Sequence, residues 1–173
     1  MRKVFPVAVW GSRVPGVSSD WKGRNPSRAD HDGVDVMFRA IASDPAYSTA
    51  TKRNRSPQWY MPDGKKALAT EDGKALRVEL RANGWAVYLK HPKGHTTVYR
   101  HLERPLVGPG SIVMVGQPVG VIGPDDETAK KPGIHPLKHL HFEVRTKAGS
   151  PLDPAPYLLD AEFISEEDGR PFV

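Results

Sequence analysis

Cysteine is absent from this 173-residue chain. That excludes disulfide scaffolds, thiolate zinc sites, iron–sulfur clusters and a cysteine nucleophile. Any transition-metal site therefore has to be built from His, Asp or Glu. Long apolar runs are also missing: nothing approaches the ~20 residues of a membrane span, so no spanning helix is expected. The opening MRKVFPVAVW has two basic residues, but Pro6 and Gly11 leave too few apolar positions for the core of a secretory signal. The expectation is a chain that works in the cytoplasm or travels by a route other than a signal peptide. Sustained helical periodicity is scarce too, and 17 Pro and 16 Gly punctuate the chain throughout.

What is present is a basic, strand-forming sequence. Lys plus Arg is 25 against 20 for Asp plus Glu, a net charge of +5 that favours anionic partners such as nucleic acid, acidic lipid or an anionic cell wall. From residue 67 onward short alternating runs dominate. Leu76–Ala82 leads through Asn83-Gly84, a favoured two-residue hairpin turn, into Trp85–Lys90. His91–His95 turns again into Thr96–Leu102; Ile112–Val115 and Val119–Ile122 pair around Gly116-Gln117-Pro118, and His139–Arg145 closes the series. Short strands at close spacing with Gly/Pro turns predict a mainly β fold, a small antiparallel sheet or sandwich. One domain over residues 1–173 is expected, with an irregular insertion at about 38–60 and a C-terminal tail at about 161–173.

The chemistry-bearing residues fall in three places. In His139-Leu140-His141-Phe142-Glu143-Val144-Arg145 strand alternation puts His139, His141, Glu143 and Arg145 on one face and Leu140, Phe142 and Val144 on the other. Two imidazoles at i and i+2 stand roughly 6.6 Å apart along a strand, close enough for one to ligate a metal while the other addresses its water. Spacing does not say which. In His31-Asp32-Gly33-Val34-Asp35, His31 and Asp35 share a face, and Gly33 permits a bulge that would bring both to one ion. The third place is His101, ending Val98-Tyr99-Arg100-His101-Leu102. His91, His95 and His135 sit in Pro/Gly turns and are expected to be structural or surface residues rather than catalytic ones. Alone, each motif carries little. Together, His31, Asp35 and one of His139/His141 offer N, O, N ligands that suit Zn²⁺ and leave a fourth position for water. Two histidines then remain to handle protons, which reads as metal-assisted hydrolysis.

The same residues resemble the lysostaphin-type (M23) zinc metallopeptidases, which cut peptide bonds in bacterial peptidoglycan. Val9–Val14 resembles the opening strand of that family and His31–Asp35 its His-x-Gly-x-Asp motif. Tyr99-Arg100-His101-Leu102 is similar to its Tyr-x-His-Leu motif, Val113–Gly123 to its Gly-Gln hairpin, and His139–Val144 to its closing His-x-His-Phe-Glu-Val strand. Leu152-Asp153-Pro154 and Tyr157-Leu158 match the usual ending, so the resemblance spans most of residues 7–160. It implies one zinc held by His31, Asp35 and His141, with His101 and His139 activating water and stabilising the oxyanion. It also implies a groove across the sheet and peptidoglycan as substrate.

Three features depart from the family pattern. Trp21, Arg24, Asn25 and Arg28 occupy the stretch where some members carry a Tyr before the first His, which leaves Tyr60 and Arg28 as candidate substrate contacts. The insertion Phe38–Tyr60 is longer than the usual connection, and Pro124–Lys138 lacks the usual Ser/Thr-Gly-rich sequence. Without a signal peptide, the function implied is that of a phage-type or virion-associated lysin. It would reach the wall through a lysis pore or in a virion or injection particle, with phage-particle partners, or else be released from a longer precursor. The alternative is a non-catalytic regulator or structural wall-binding protein on the same fold, disfavoured because every ligand is present. A lipoyl-type carrier needs Lys at its hairpin tip, and Gly116-Gln117-Pro118 has none. Nucleic acid is not an expected partner: the basic residues are dispersed, and the one tight cluster, Lys52-Arg53-Asn54-Arg55, reads as a solvated loop.

Overall fold

The computed structural model describes residues 1–40, 58–135 and 137–165. Eleven strands pair antiparallel in one continuous network: β1 Gly16–Ser19, β2 Val34–Arg39, β3 Trp59–Tyr60, β4 Lys66–Leu68, β5 Gly73–Arg81, β6 Gly84–Lys90, β7 Thr96–Pro105, β8 Ile112–Val113, β9 Pro118–Ile122, β10 Leu140–Arg145 and β11 Pro151–Leu152. The main path runs β1-β2-β10-β7-β6-β5-β8, with β3 on β2, β11 on β10, and β9 joining β4 to β7. Among the described residues helix is limited to a 3-10 turn at Pro26–Arg28 and two short helices, α1 Asp126–Ala129 and α2 Pro154–Leu158. Among the described residues no helix is long and apolar enough to cross a membrane.

The strands arise where alternation meets a turn. β5 and β6 form the expected hairpin, but the loop is Ala82-Asn83, one residue earlier than the Asn-Gly pair suggests, because Arg81 already pairs with Gly84. Gly84 has φ 110°, and a Cβ there would lie 2.7 Å from the Leu102 carbonyl. Glycine is thus needed inside the strand, where the backbone around His101 passes, rather than in the turn. The expected opening strand at Val9–Val14 also moves. Trp10 and Arg13 exchange backbone hydrogen bonds of 2.9 and 3.0 Å around Gly11-Ser12, so that stretch is a tight reversal and the first strand is Gly16–Ser19.

The core is lined by Phe38, Tyr99, Leu102, Ile122, Leu140 and Phe142, all fully buried. Each such side chain contributes roughly 1.5–3 kcal/mol. Leu140, Phe142 and Val144 face it from β10, as alternation requires. The N-terminal segment belongs to this body: Val4, Val7 and Val9 are buried, and Val4 and Val9 form parallel bridges with Glu162 and Ser165. Residues 4–9 therefore contribute to the packed body of the fold. Most of the insertion expected at 38–60, including Lys52–Arg55, lies outside the described residues, as does 166–173 of the expected tail.

Candidate metal centre

Register alone brings the dispersed motifs together. β10 is central, flanked by β2 and β7, so His141 lies opposite Asp35 on one side and opposite Arg100 on the other. His31 sits just before β2, three residues from its start. Gly33 lets it come close: a Cβ on Gly33 would stand 2.3 Å from the Phe142 carbonyl and 3.0 Å from His141 Nε2. His31, Asp35 and His141 are all buried, with one ligand atom from each lying within 4.8 Å of the others.

The hydrogen bonds show what this cluster lacks. His31 Nδ1 reaches the Asp20 carbonyl at 2.7 Å, so Nδ1 carries the proton and the Nε2 lone pair faces Asp35 Oδ1 at 3.1 Å. His141 Nε2 reaches Glu143 Oε1 at 3.1 Å, and its Nδ1 faces the same Asp35 oxygen at 3.1 Å. In the neutral tautomers set by these outer bonds three acceptors converge on one point, an arrangement that a bound cation stabilises, or a shared proton where no cation is bound. Ligands about 2.0–2.1 Å from a tetrahedral ion stand roughly 3.3 Å apart, which these separations match closely. The donor set fits a divalent metal of the zinc class.

Two more imidazoles border the cluster. His139 Nδ1 donates to the Leu137 carbonyl at 2.8 Å, which leaves Nε2 pointing inward, 3.7 Å from Asp35 Oδ1. His101 hydrogen-bonds the Asn83 backbone, and its ring centroid lies 4.7 Å from that of His139 and 5.4 Å from that of His141. His101 has φ 63°, unusual for a side chain with a Cβ, at the point where β7 leaves β10 and turns to pair with β9. Gly123 ties the two together: its N–H donates to the His101 carbonyl and its carbonyl accepts from the His139 N–H, at 2.7 and 3.0 Å.

Electrostatics separate the roles. Burial, reinforced by neighbouring imidazoles, pushes His101 down to about 2, and burial lowers His139 as well, so both are neutral proton acceptors. Burial raises the Asp35 carboxyl, but hydrogen bonds from His141 and His31 outweigh it and hold Asp35 well below the usual carboxylate range. Burial also disfavours charge on His141, and there the hydrogen bonds to Asp35 and Glu143 win and raise its pKa. Glu143 is itself clamped by Arg100 Nε and Arg145 Nε, each at 2.6 Å.

Two cavities, about 310 and 180 Å³, open on either side of the cluster and share Arg28, Asp35, His135 and His139 as walls. Arg28 Nη1 stands 3.8 Å from Asp35 Oδ2. Tyr60 packs on Trp10 and lies outside both linings; its neighbour Trp59 lines the smaller one. Of the three histidines expected to be structural or surface residues, His91 is buried, at 2% exposed, and His135 is exposed, yet it packs edge-on against His139 with centroids 5.1 Å apart and walls both cavities. The place of His135 beside the cluster has no local signal, since it depends on which loop folds over the sheet.

The β-sheet thus carries a buried His-Asp-His cluster whose donor atoms fit a metal ion, bordered by two imidazoles and a two-lobed cleft. The chain belongs to peptidase family M23, which matches residues 52–154. That match contains Tyr99–Leu102 and His139–Val144, whereas His31 and Asp35 precede it. Peptidoglycan DD-endopeptidase ShyC of Vibrio cholerae is 33% identical over 93 residues, covering 53% of this chain and 20% of that protein. Murein hydrolase activator EnvC of Escherichia coli is 30% identical over 97 residues, covering 56% and 21%. The catalytic domain of lysostaphin from Staphylococcus simulans superposes with a TM-score of 0.56 over 87% of this chain and 95% of that domain, at 23% identity, a likeness of fold. The chain spans between about a fifth and two fifths of the length of the curated relatives it matches.

Proposed function

We propose that this chain is a zinc-dependent endopeptidase that hydrolyses peptide cross-links of bacterial peptidoglycan. The observation that carries the reading is the convergence of three lone pairs, from His31 Nε2, Asp35 Oδ1 and His141 Nδ1, beside two neutral imidazoles. Zinc held by these three residues would supply Lewis acidity and would lower the pKa of a water into the neutral range. The remaining work falls to the chain. His139, with Nδ1–H fixed on Leu137 and its other nitrogen free, accepts the proton of the attacking water. Whichever of His139 and His101 takes a proton changes from acceptor to donor, and so can hydrogen-bond the oxyanion or return the proton to the departing amine. Arg28, between the two cavities, offers a guanidinium to a substrate carboxylate. The positive net charge supports attachment to anionic wall polymers. Delivery as a phage-type lysin is the finer part of the proposal.

The test is turbidity loss of purified peptidoglycan with wild type, His31→Ala and His101→Ala, alongside circular dichroism and zinc content. The expected result is lysis by wild type that chelator abolishes and no lysis by either folded variant, with one zinc fewer per chain in His31→Ala than in wild type and none lost in His101→Ala. Full lysis by both variants overturns the proposal. The relative that activates murein hydrolases favours a second reading, a non-catalytic regulator, and a zinc-loaded wild type without lysis on any cross-link type would select it. For delivery, the phage-type reading expects this chain to be found in virions or released at lysis; recovery of an exported form trimmed from a longer precursor would overturn it.

A further inference from the structure

A second group of metal-ligating side chains lies at the other end of β7. Glu71, His91 and His95 each offer a ligand atom within 4.8 Å of the others. His95 precedes β7 and His101 sits in its second half, six residues on, so the two centres are separated by roughly 20 Å of extended strand. Glu71 is 3% exposed and leads into β5; His91 and His95 bracket the β6–β7 turn, which is closed by a 3.0 Å bond from the His91 N–H to the His95 carbonyl. The rings of His91 and His95 stack with centroids 4.7 Å apart, and Tyr157 of α2 covers His95 edge-on at 5.4 Å.

Two buried polar atoms in this group have no hydrogen-bond partner: Glu71 Oε2 and His95 Nε2. A buried polar group left unpaired is costly, so its presence calls for a partner of another kind. Glu71 Oε1 and His95 Nε2 stand 3.7 Å apart, too far for a hydrogen bond but near the roughly 3.4 Å that separates two ligands of one tetrahedral ion. His91 Nδ1 lies 2.9 Å from the Asp72 carbonyl, which fixes the tautomer and leaves Nε2 as the donor atom. Nε2 now meets the Thr97 hydroxyl at 2.7 Å, and that hydroxyl has a second partner, Tyr99 Oη at 3.2 Å, to turn to. The Glu71 carboxylate supplies the negative charge a cation needs beside Lys3, whose ammonium is paired with Asp160 at 2.6 Å.

We propose that Glu71, His91 and His95 form a second, structural divalent-metal site of the zinc class, distinct from the cluster around Asp35. An ion there pins the β4–β5 junction to the β6–β7 turn beneath α2, and its effect is on stability rather than on the cleft.

The experiment titrates metal-free wild type, Glu71→Gln and His95→Gln with buffered Zn²⁺. Bound zinc is counted, melting is followed, and ring-nitrogen NMR of histidine is recorded. The expected result is two zinc per wild-type chain and one in each variant, which keeps its peptidoglycan activity. Filling the second site to a hundredfold excess over its Kd should raise the wild-type Tm by about 5–10 °C more than that of the variants. If a variant fails to fold, wild-type NMR still decides, because His91 and His95 shift with one equivalent while His31 and His141 shift with the other. Saturation at one zinc with His91 and His95 unmoved overturns the proposal, as do two zinc in both folded variants. Failure at His31 and His141 would instead count against the zinc endopeptidase.

Discussion

Glu143 offers a quantitative test of how the centre is held. Its carboxylate, 2% exposed, joins His141 Nε2 to the guanidinium groups of Arg100 and Arg145. Burial alone would raise its pKa; the hydrogen bond from His141 and the charge of Arg100, then Arg145, win and bring it to about 2 from an ordinary 4.5. A carboxyl depressed on folding contributes stability that is complete above its unfolded pKa and is lost as pH falls through its folded pKa. For this gap the loss is about 2 kcal/mol by pH 3 and about 3 kcal/mol by pH 2, relative to pH 7. Glu143→Gln removes the titration while keeping the shape. Urea unfolding of the metal-free proteins between pH 6 and pH 3 should therefore show the wild type losing about 2 kcal/mol more than the variant, a Tm difference of about 4–8 °C. Other carboxylates titrate in both proteins and cancel. Parallel stability curves, within about 0.5 kcal/mol throughout, would refute the claim that Glu143 is held ionised by His141 and the two arginines.

Gly33→Ala puts a methyl 2.3 Å from the Phe142 carbonyl; β2 and β10 must part, costing about 1–3 kcal/mol, and a Tm drop of about 2–10 °C with weakened zinc retention is expected in calorimetry and metal analysis. Tyr99→Phe deletes a fully buried hydroxyl that accepts from the Thr70 N–H at 3.0 Å, and leaving that donor unpaired should cost about 1–3 kcal/mol in denaturant titration with kcat unchanged. Chelation followed by dialysis should abolish peptidoglycan lysis, and added zinc should restore it; recovery with magnesium alone would contradict the N, O, N donor set. Arg28→Ala should raise KM several-fold on a cross-linked peptide bearing a free carboxylate while leaving kcat within about twofold, since the lost contact is the same in ground and transition state.

Elements set by local chemistry were legible in advance. Alternation in Trp85–Lys90 and Leu140–Val144 placed two strands within a residue, because each buries a continuous apolar row. The meeting of His31, Asp35, His101, His139 and His141 was also readable, through their residue types and order. Long-range register was not. Nothing near Asn83-Gly84 reveals that Gly84 must pass under the Leu102 carbonyl, so the turn was expected one residue late. His91 was expected only as a structural or surface residue of a turn, and nothing in His-Pro-Lys-Gly-His tells that the turn folds inward against Thr97 and Asp72. His135 likewise reaches His139 only through the path of the loop after α1, which strand periodicity does not encode. Trp59 in the smaller cavity follows from pairing between β2 and β3, across an insertion whose sequence gives no register.

The backbone at Gly123 has a consequence of its own. His101 of β7 and His139, just ahead of β10, are both bonded to this one residue, the first through the Gly123 N–H and the second through its carbonyl, on two successive peptide units. The spacing of the two imidazoles is thereby tied to a glycine outside both strands, and a side chain there would press on the β7 attachment: a Cβ at Gly123 would lie 2.7 Å from the Glu103 nitrogen and 2.9 Å from the His101 carbonyl oxygen.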